Sequence, residues 1–171
     1  FCRVRPTTSD TAIVDCAPDG TSVELKKTDA DVAGFEFDRV FGPSSTQGEV
    51  FHEVSQLVQS ALDGYKVCLF SYGQTGSGKT FTITGGSERY EDRGIIPRAL
   101  SMIFQEFRSR SDCSWSAHIS YMEIYNEQGF DLLNESSGVK ALQDLPRVRM
   151  MEDERDAARF LSVSELQDAS R

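Results

Sequence analysis

The sequence predicts an α/β fold, and three observations carry that prediction. An apolar run, Lys66-Val67-Cys68-Leu69-Phe70-Ser71-Tyr72, leads straight into the glycine-rich Gly73-Gln74-Thr75-Gly76-Ser77-Gly78-Lys79-Thr80. Two other segments space their apolar residues as helices do, and two more alternate as strands do. Strands separated by helices point to a mixed central sheet with helices on both faces.

The elements follow in order. Residues 1–6 read as a strand that ends at Pro6. Residues 7–34 are polar, with short β-prone pieces such as Thr21-Ser22-Val23-Glu24-Leu25. Phe35 to Phe41 alternates as a second strand, and Gly42-Pro43-Ser44-Ser45 breaks it. Thr46-Gln47-Gly48-Glu49 has the form of a capping box. Behind it Val50, Phe51, Val54, Leu57, Val58, Ala61 and Leu62 fall on one helical face, which reads as core, and Gly64 closes the helix. The run 66–72 reads as a buried strand. Gly85 to Gly94 is a polar, charged insertion. Ile96, Leu100, Ile103, Phe104 and Phe107 mark an amphipathic helix that tolerates Pro97 in its first turn. Trp115 to Tyr125 alternates, then turns apolar on both faces, as a sheet strand does. Residues 134–147 read as a loop, Val148 to Met151 as a strand, and Glu152 to Arg171 as a mixed charged end.

Residues 73–80 satisfy G-x-x-x-x-G-K-[ST], the phosphate-binding loop. The chemistry explains the pattern. Glycines let the backbone wrap closely around an anion with N–H groups turned inward. The helix start that follows adds free N–H groups and the positive end of its dipole. Lys79 supplies a charge for the β- and γ-phosphates, and the Thr80 hydroxyl a ligand for Mg²⁺. A nucleoside triphosphate is the ligand class this predicts, bound at the carboxyl end of the strand 66–72.

The flanks narrow the class. The stretch Phe70 to Thr82 closely resembles the nucleotide loop of kinesins. Cys2-Arg3-Val4-Arg5-Pro6 resembles the family's first strand with its adenine-side R-x-R-P. Gly94-Ile95-Ile96-Pro97-Arg98-Ala99 resembles the helix start after the loop, and Ser120 to Glu127 with Asp131-Leu132-Leu133 the family's long strand and turn. The matches come in family order and span essentially the whole chain. Thr82-Ile83-Thr84-Gly85-Gly86 and Asp144-Leu145-Pro146-Arg147-Val148 look most like class nine, the ciliary and flagellar kinesins.

The resemblance implies a P-loop NTPase of the kinesin motor fold, a microtubule-dependent ATPase using ATP and Mg²⁺. It implies a cytoplasmic, cytoskeletal setting with a cilium or flagellum as one site. It places the phosphates in Gly73, Gln74, Thr75, Gly76, Ser77, Gly78, Lys79 and Thr80. It places the adenine between Arg3 and Pro6 on one side and Phe81 on the other, held by stacking and cation–π contact. Read from the residues alone, Arg3 is a solvated strand residue and Phe81 is core.

Composition sets bounds. The chain has 171 residues, enough for one domain with a real core. It starts at Phe1, and the family's motor domain is roughly twice as long, so residues 1–171 read as the N-terminal portion of a single motor domain. A net charge of −9 argues against a broad nucleic-acid surface. It also suits acidic microtubules poorly, so the tubulin-binding face is expected mainly in the other half. Arg147, Arg149, Arg155 and Arg159 interleave with Glu152, Asp153, Glu154 and Asp156, which reads as a mixed solvated surface. No run is apolar enough to span a membrane. Cys2, Cys16, Cys68 and Cys113 lack metal-ligand spacing; Cys2 and Cys68 read as packed strand thiols.

Other candidates carry less. Asp31-Val32-Ala33-Gly34 has the D-x-x-G form but precedes the phosphate loop, so it reads as coincidence. His52 and His118 have no metal-ligand partner nearby in sequence, and no N-K-x-D base-reading element occurs. Glu123, Asn126 and Glu127 read as structural. The family's water-positioning motifs, N-x-x-S-S-R-S-H and D-L-A-G-S-E, do not occur in residues 1–171. The readings are therefore a motor ATPase in the full-length parent, a kinesin-like module that binds nucleotide without turnover, or an unrelated P-loop kinase for a small molecule.

Overall fold

The computed structural model describes residues 1–7, 13–28, 31–110, 114–134, 141–152, 158–161 and 166–167. The chain divides into two compact units, Phe1–Ser109 and Arg110–Arg171.

In the first unit, β1 (Cys2–Arg3) runs parallel to β5 (Val40–Phe41), Cys2 opposite Val40 and Arg3 opposite Phe41. The Cys2 N–H donates to the Arg39 carbonyl at 2.9 Å, and the Val4 N–H to the Phe41 carbonyl at 2.8 Å. Between them, β2 (Val14–Cys16), β3 (Ser22–Thr28) and β4 (Asp31–Glu36) form an antiparallel meander. Its first turn is Pro18-Asp19-Gly20. Asp19 Oδ1 accepts from the N–H groups of Thr21 at 2.8 Å and Ser22 at 3.1 Å, while Gly20 takes φ +71°. The D-x-x-G tetrad lies inside β4, as an ordinary strand segment.

Helix α1 (Gln47–Leu62) starts on the expected capping box. Thr46 Oγ1 accepts from the Glu49 N–H at 3.1 Å, and Glu49 Oε2 accepts from the Thr46 N–H at 2.6 Å. The helix ends in a Schellman turn: Gly64, at φ +98°, donates to Ala61 and Tyr65 donates to Ser60. The buried face is a narrow row, Gln47, Val50, Val54 and Val58. Leu57, read as core, is exposed. Helix α2 (Lys79–Ile83) follows the glycine loop, and α3 (Ile95–Ser109) packs against both α1 and α2.

In the second unit, β7 (Met122–Tyr125) and β8 (Gln128–Asp131) form a two-residue hairpin. Asn126 at φ +50° and Glu127 at φ +61° turn it with the right twist. β9 (Arg147–Glu152) and β10 (Ala158–Leu161) extend this sheet to the order β10-β9-β8-β7. β6 (His118–Ile119) pairs separately with β11 (Leu166–Gln167). The strand read as continuous over 115–125 is therefore broken at Ser120 and Tyr121. Phe130, Asp131 and Leu145 are buried, and Asp131 Oδ1 accepts from the Leu133 N–H at 3.0 Å. A turn of 3₁₀ helix, Leu142–Asp144, interrupts the segment read as a loop. Cys113, Asp153, Glu154, Arg155 and Asp156 lie outside the described residues.

Two expectations are corrected. Among the described residues, pairing yields four separate sheets of two to four strands rather than one central sheet. Residues 66–72 form no strand, and Val67, Cys68, Leu69, Phe70 and Tyr72 stand exposed. The reason is the same for both. A parallel interior strand is held by hydrogen-bonded neighbours, and no described residue pairs with 66–72. No helix among the described residues is long and apolar enough to cross a membrane.

Candidate nucleotide-binding site

The glycine loop has the backbone that its sequence requires. Gly73, Gly76 and Gly78 have φ of +149°, +81° and +103°, values at which a side chain is strained. At Gly73 a Cβ would also lie 2.7 Å from Ser77 Oγ. The Ser77 N–H closes the turn onto the Gln74 carbonyl at 3.1 Å. Gly78, left-handed, is the N-cap of α2, so the N–H groups of Lys79 and Thr80 open the helix unpaired with its own carbonyls. Lys79 Nζ folds back to donate to the carbonyls of Gly73 and Gln74, each at 2.9 Å. This is a concave backbone held open by left-handed glycines, with an ammonium across it. Its donor set suits a polyphosphate.

A cleft of about 430 Å³ opens beside this loop, lined by Arg5, Pro6, Gly76, Gly78, Lys79, Thr80 and Phe81. Gln74, Thr75 and Ser77 sit in the loop itself. Arg5, which the sequence offered as part of the adenine-side R-x-R-P without a role of its own, lines the cleft and donates to the Gly76 carbonyl.

Arg3 is held by its own set of contacts beside the cleft. It does not line the cleft. Its guanidinium lies under the Phe81 ring, 5.3 Å from the centroid. It donates to Gln47 Oε1 at 2.7 Å, Thr82 Oγ1 at 2.9 Å and the Ser45 carbonyl at 3.5 Å. Burial lowers its pKa from the ordinary guanidinium value, because a desolvated cation is less favourable. Arg3 thus stacks on Phe81, which itself lines the cleft and is 44% exposed.

Gln47 is a residue that sequence reasoning missed. It is 4% exposed. Besides accepting from Arg3, its Nε2 donates to the Phe81 carbonyl at 2.7 Å and the Asp92 carbonyl at 2.9 Å. A polar residue heading the apolar row of Val50, Val54 and Val58 was the available signal.

The insertion 85–94 is tied down beside α2. Gly86 donates to Asp92 at 2.9 Å and Gly94 to Thr84 at 3.0 Å. A Cβ on Gly85 would sit 2.2 Å from the Asp92 carbonyl oxygen, and one on Gly94 2.6 Å from that of Ile83. Arg89 pairs with Asp92 at 2.7 Å.

Comparisons with known proteins identify the family. A family model described as the kinesin motor domain matches residues 4–170. Kinesin-like protein KIN-14C of Arabidopsis thaliana is 48% identical over 145 residues, covering 78% of this chain and 18% of the relative. Kinesin-related protein 2 of Dictyostelium discoideum is 46% identical over 151 residues, covering 78% and 19%. Protein claret segregational of Drosophila melanogaster is 42% identical over 146 residues, covering 78% and 20%. The chain thus spans about a fifth of the length of these relatives. The likeness to class nine, and with it the cilium, gains no support from them. Gly85 and Gly86, which end one of the two stretches that suggested it, cross closely with Asp92 and Gly94. The match over residues 4–170, together with these relatives, places the chain in the kinesin motor domain family, with its P-loop NTPase fold.

Proposed function

We propose that the cleft beside Gly73–Thr80 binds ATP with Mg²⁺, and that the protein carrying this chain couples ATP hydrolysis to movement along microtubules. One observation carries the reading: the three left-handed glycines hold a loop whose concave side meets Lys79 and the opening N–H groups of α2. In this reading the inward N–H groups and Lys79 hold the phosphates. Thr80 ligates the metal. Pro6 and Phe81, with Arg5 beside them, enclose the base. MgATP when bound supplies the phosphoanhydride whose cleavage drives the motor.

The residues of the chain make the phosphate side ready at a cost. Lys79 must exchange two carbonyl acceptors for phosphate oxygens, a stronger charge-assisted pairing. The motifs N-x-x-S-S-R-S-H and D-L-A-G-S-E do not occur in residues 1–171, and this reading assigns turnover to the full-length protein. The test is tubulin-stimulated ATPase activity of the full-length protein. Stimulated turnover supports the motor. Nucleotide binding without turnover supports the binding-module reading, and phosphorylation of a small metabolite without tubulin supports the P-loop kinase.

A further inference from the structure

We propose that Gln47 is a positioning residue that sets the base end of the cleft by holding Arg3 and Phe81 in one fixed arrangement. This rests on the nucleotide-binding reading above and deepens it.

The side-chain amide of Gln47 has one acceptor and two donor hydrogens, and the structure engages both ends. Oε1 accepts from Arg3 Nη1 at 2.7 Å. Nε2 donates to the carbonyl of Phe81 and to that of Asp92. Three chain segments meet at one amide: β1 through Arg3, α2 through the Phe81 backbone, and the insertion through Asp92. None lies near Gln47 in sequence. The amide is buried, so water does not readily replace these bonds, and a group of this kind left unpaired is costly. The Phe81 ring needs both supports. Its backbone is held by Gln47, and one face of the ring is held by the Arg3 guanidinium. Arg3 in turn is oriented by Gln47 and Thr82. Removing the amide frees both sides of the Arg3–Phe81 stack together. The phosphate loop makes no hydrogen bond to Gln47 among the described residues and keeps its own bonds, Lys79 to Gly73 and Gln74 and Ser77 to Gln74.

This separation of the two ends supplies the test. Gln47→Leu keeps most of the buried volume and removes all three hydrogen bonds. The full-length protein and this variant are titrated calorimetrically with MgATP and with magnesium tripolyphosphate, which has phosphates and no base. We expect the variant to bind MgATP about tenfold to a hundredfold more weakly, with tripolyphosphate affinity unchanged. Unchanged MgATP affinity overturns the proposal. A parallel loss for both ligands also overturns it, because Gln47 would then be a structural residue without a role specific to the base. If the wild-type protein binds neither ligand, the nucleotide-binding reading itself falls and takes this one with it.

Discussion

The Arg3 guanidinium lies 5.3 Å from the centroid of the Phe81 ring, joining the first strand to the helix behind the phosphate loop. A cation over an aromatic face contributes about 0.5–2 kcal/mol depending on desolvation. Its position means that Arg3 acts on the cleft through Phe81. Arg5, Pro6 and the ring itself line the cavity.

Base choice follows from that lining. A proline ring, an aromatic ring and an arginine present stacking faces rather than base-reading hydrogen-bond edges. Stacking accepts any purine, so ATP should be preferred over GTP only modestly. A preference of about several hundredfold in competition titrations would require hydrogen-bond readout of the base.

The capping box gives a stability prediction. Thr46→Ala removes the acceptor for the Glu49 N–H and should destabilise the first unit by about 1 kcal/mol. Chemical denaturation measures it. A change within about 0.2 kcal/mol would show that the box contributes nothing here.

The same box is sensitive to acid. Hydrogen bonds from the Thr46 N–H, then the Thr46 hydroxyl, hold the Glu49 carboxyl below its usual pKa. A depressed folded-state pKa contributes stability above the unfolded value of about 4.3. That contribution is lost as pH falls through the folded value. Glu49→Gln should therefore be less stable than wild type at neutral pH, with the gap closing in acid. Stability curves that stay parallel into acid would contradict this.

Backbone proximity gives a contrast between two glycines. A Cβ on Gly94 would press on the Ile83 and Thr82 carbonyls, whereas one on Gly34 meets open space. Gly94→Ala should cost about 1–3 kcal/mol or more. Gly34→Ala should stay within about 0.5 kcal/mol. Equal effects would refute the reading of the insertion as a close backbone crossing.

Local signals were legible in the sequence, and long-range ones were not. The capping box, the Gly64 terminus, the amphipathic α3 and the glycine loop each depend on residues a few positions apart, and each appears as read. The run 66–72 looked like a buried strand because it is apolar, but pairing depends on partners far away in sequence. The polar segment 7–34 was read only as short β-prone pieces, and its polarity obscured the strands β2, β3 and β4. In the glycine loop, the positive-φ backbone was legible because one motif encodes it. On the other side Arg3, Pro6 and Phe81 were named through the family resemblance, but Gln47 was not, because it joins Arg3 and Phe81 from a third, distant segment. Only the fold shows that Arg3 turns toward Gln47 and leaves the lining to Arg5.

The central claim is that Lys79 and the glycine loop hold the phosphates of a nucleotide. Titration of a fluorescent ATP analogue with Mg²⁺ into wild type and Lys79→Ala tests it most directly, with circular dichroism to establish that both are folded. The account predicts saturable binding by wild type and a loss of at least about a hundredfold in the variant, the scale of a charge-assisted phosphate contact. Equal affinity in the two folded proteins would contradict it.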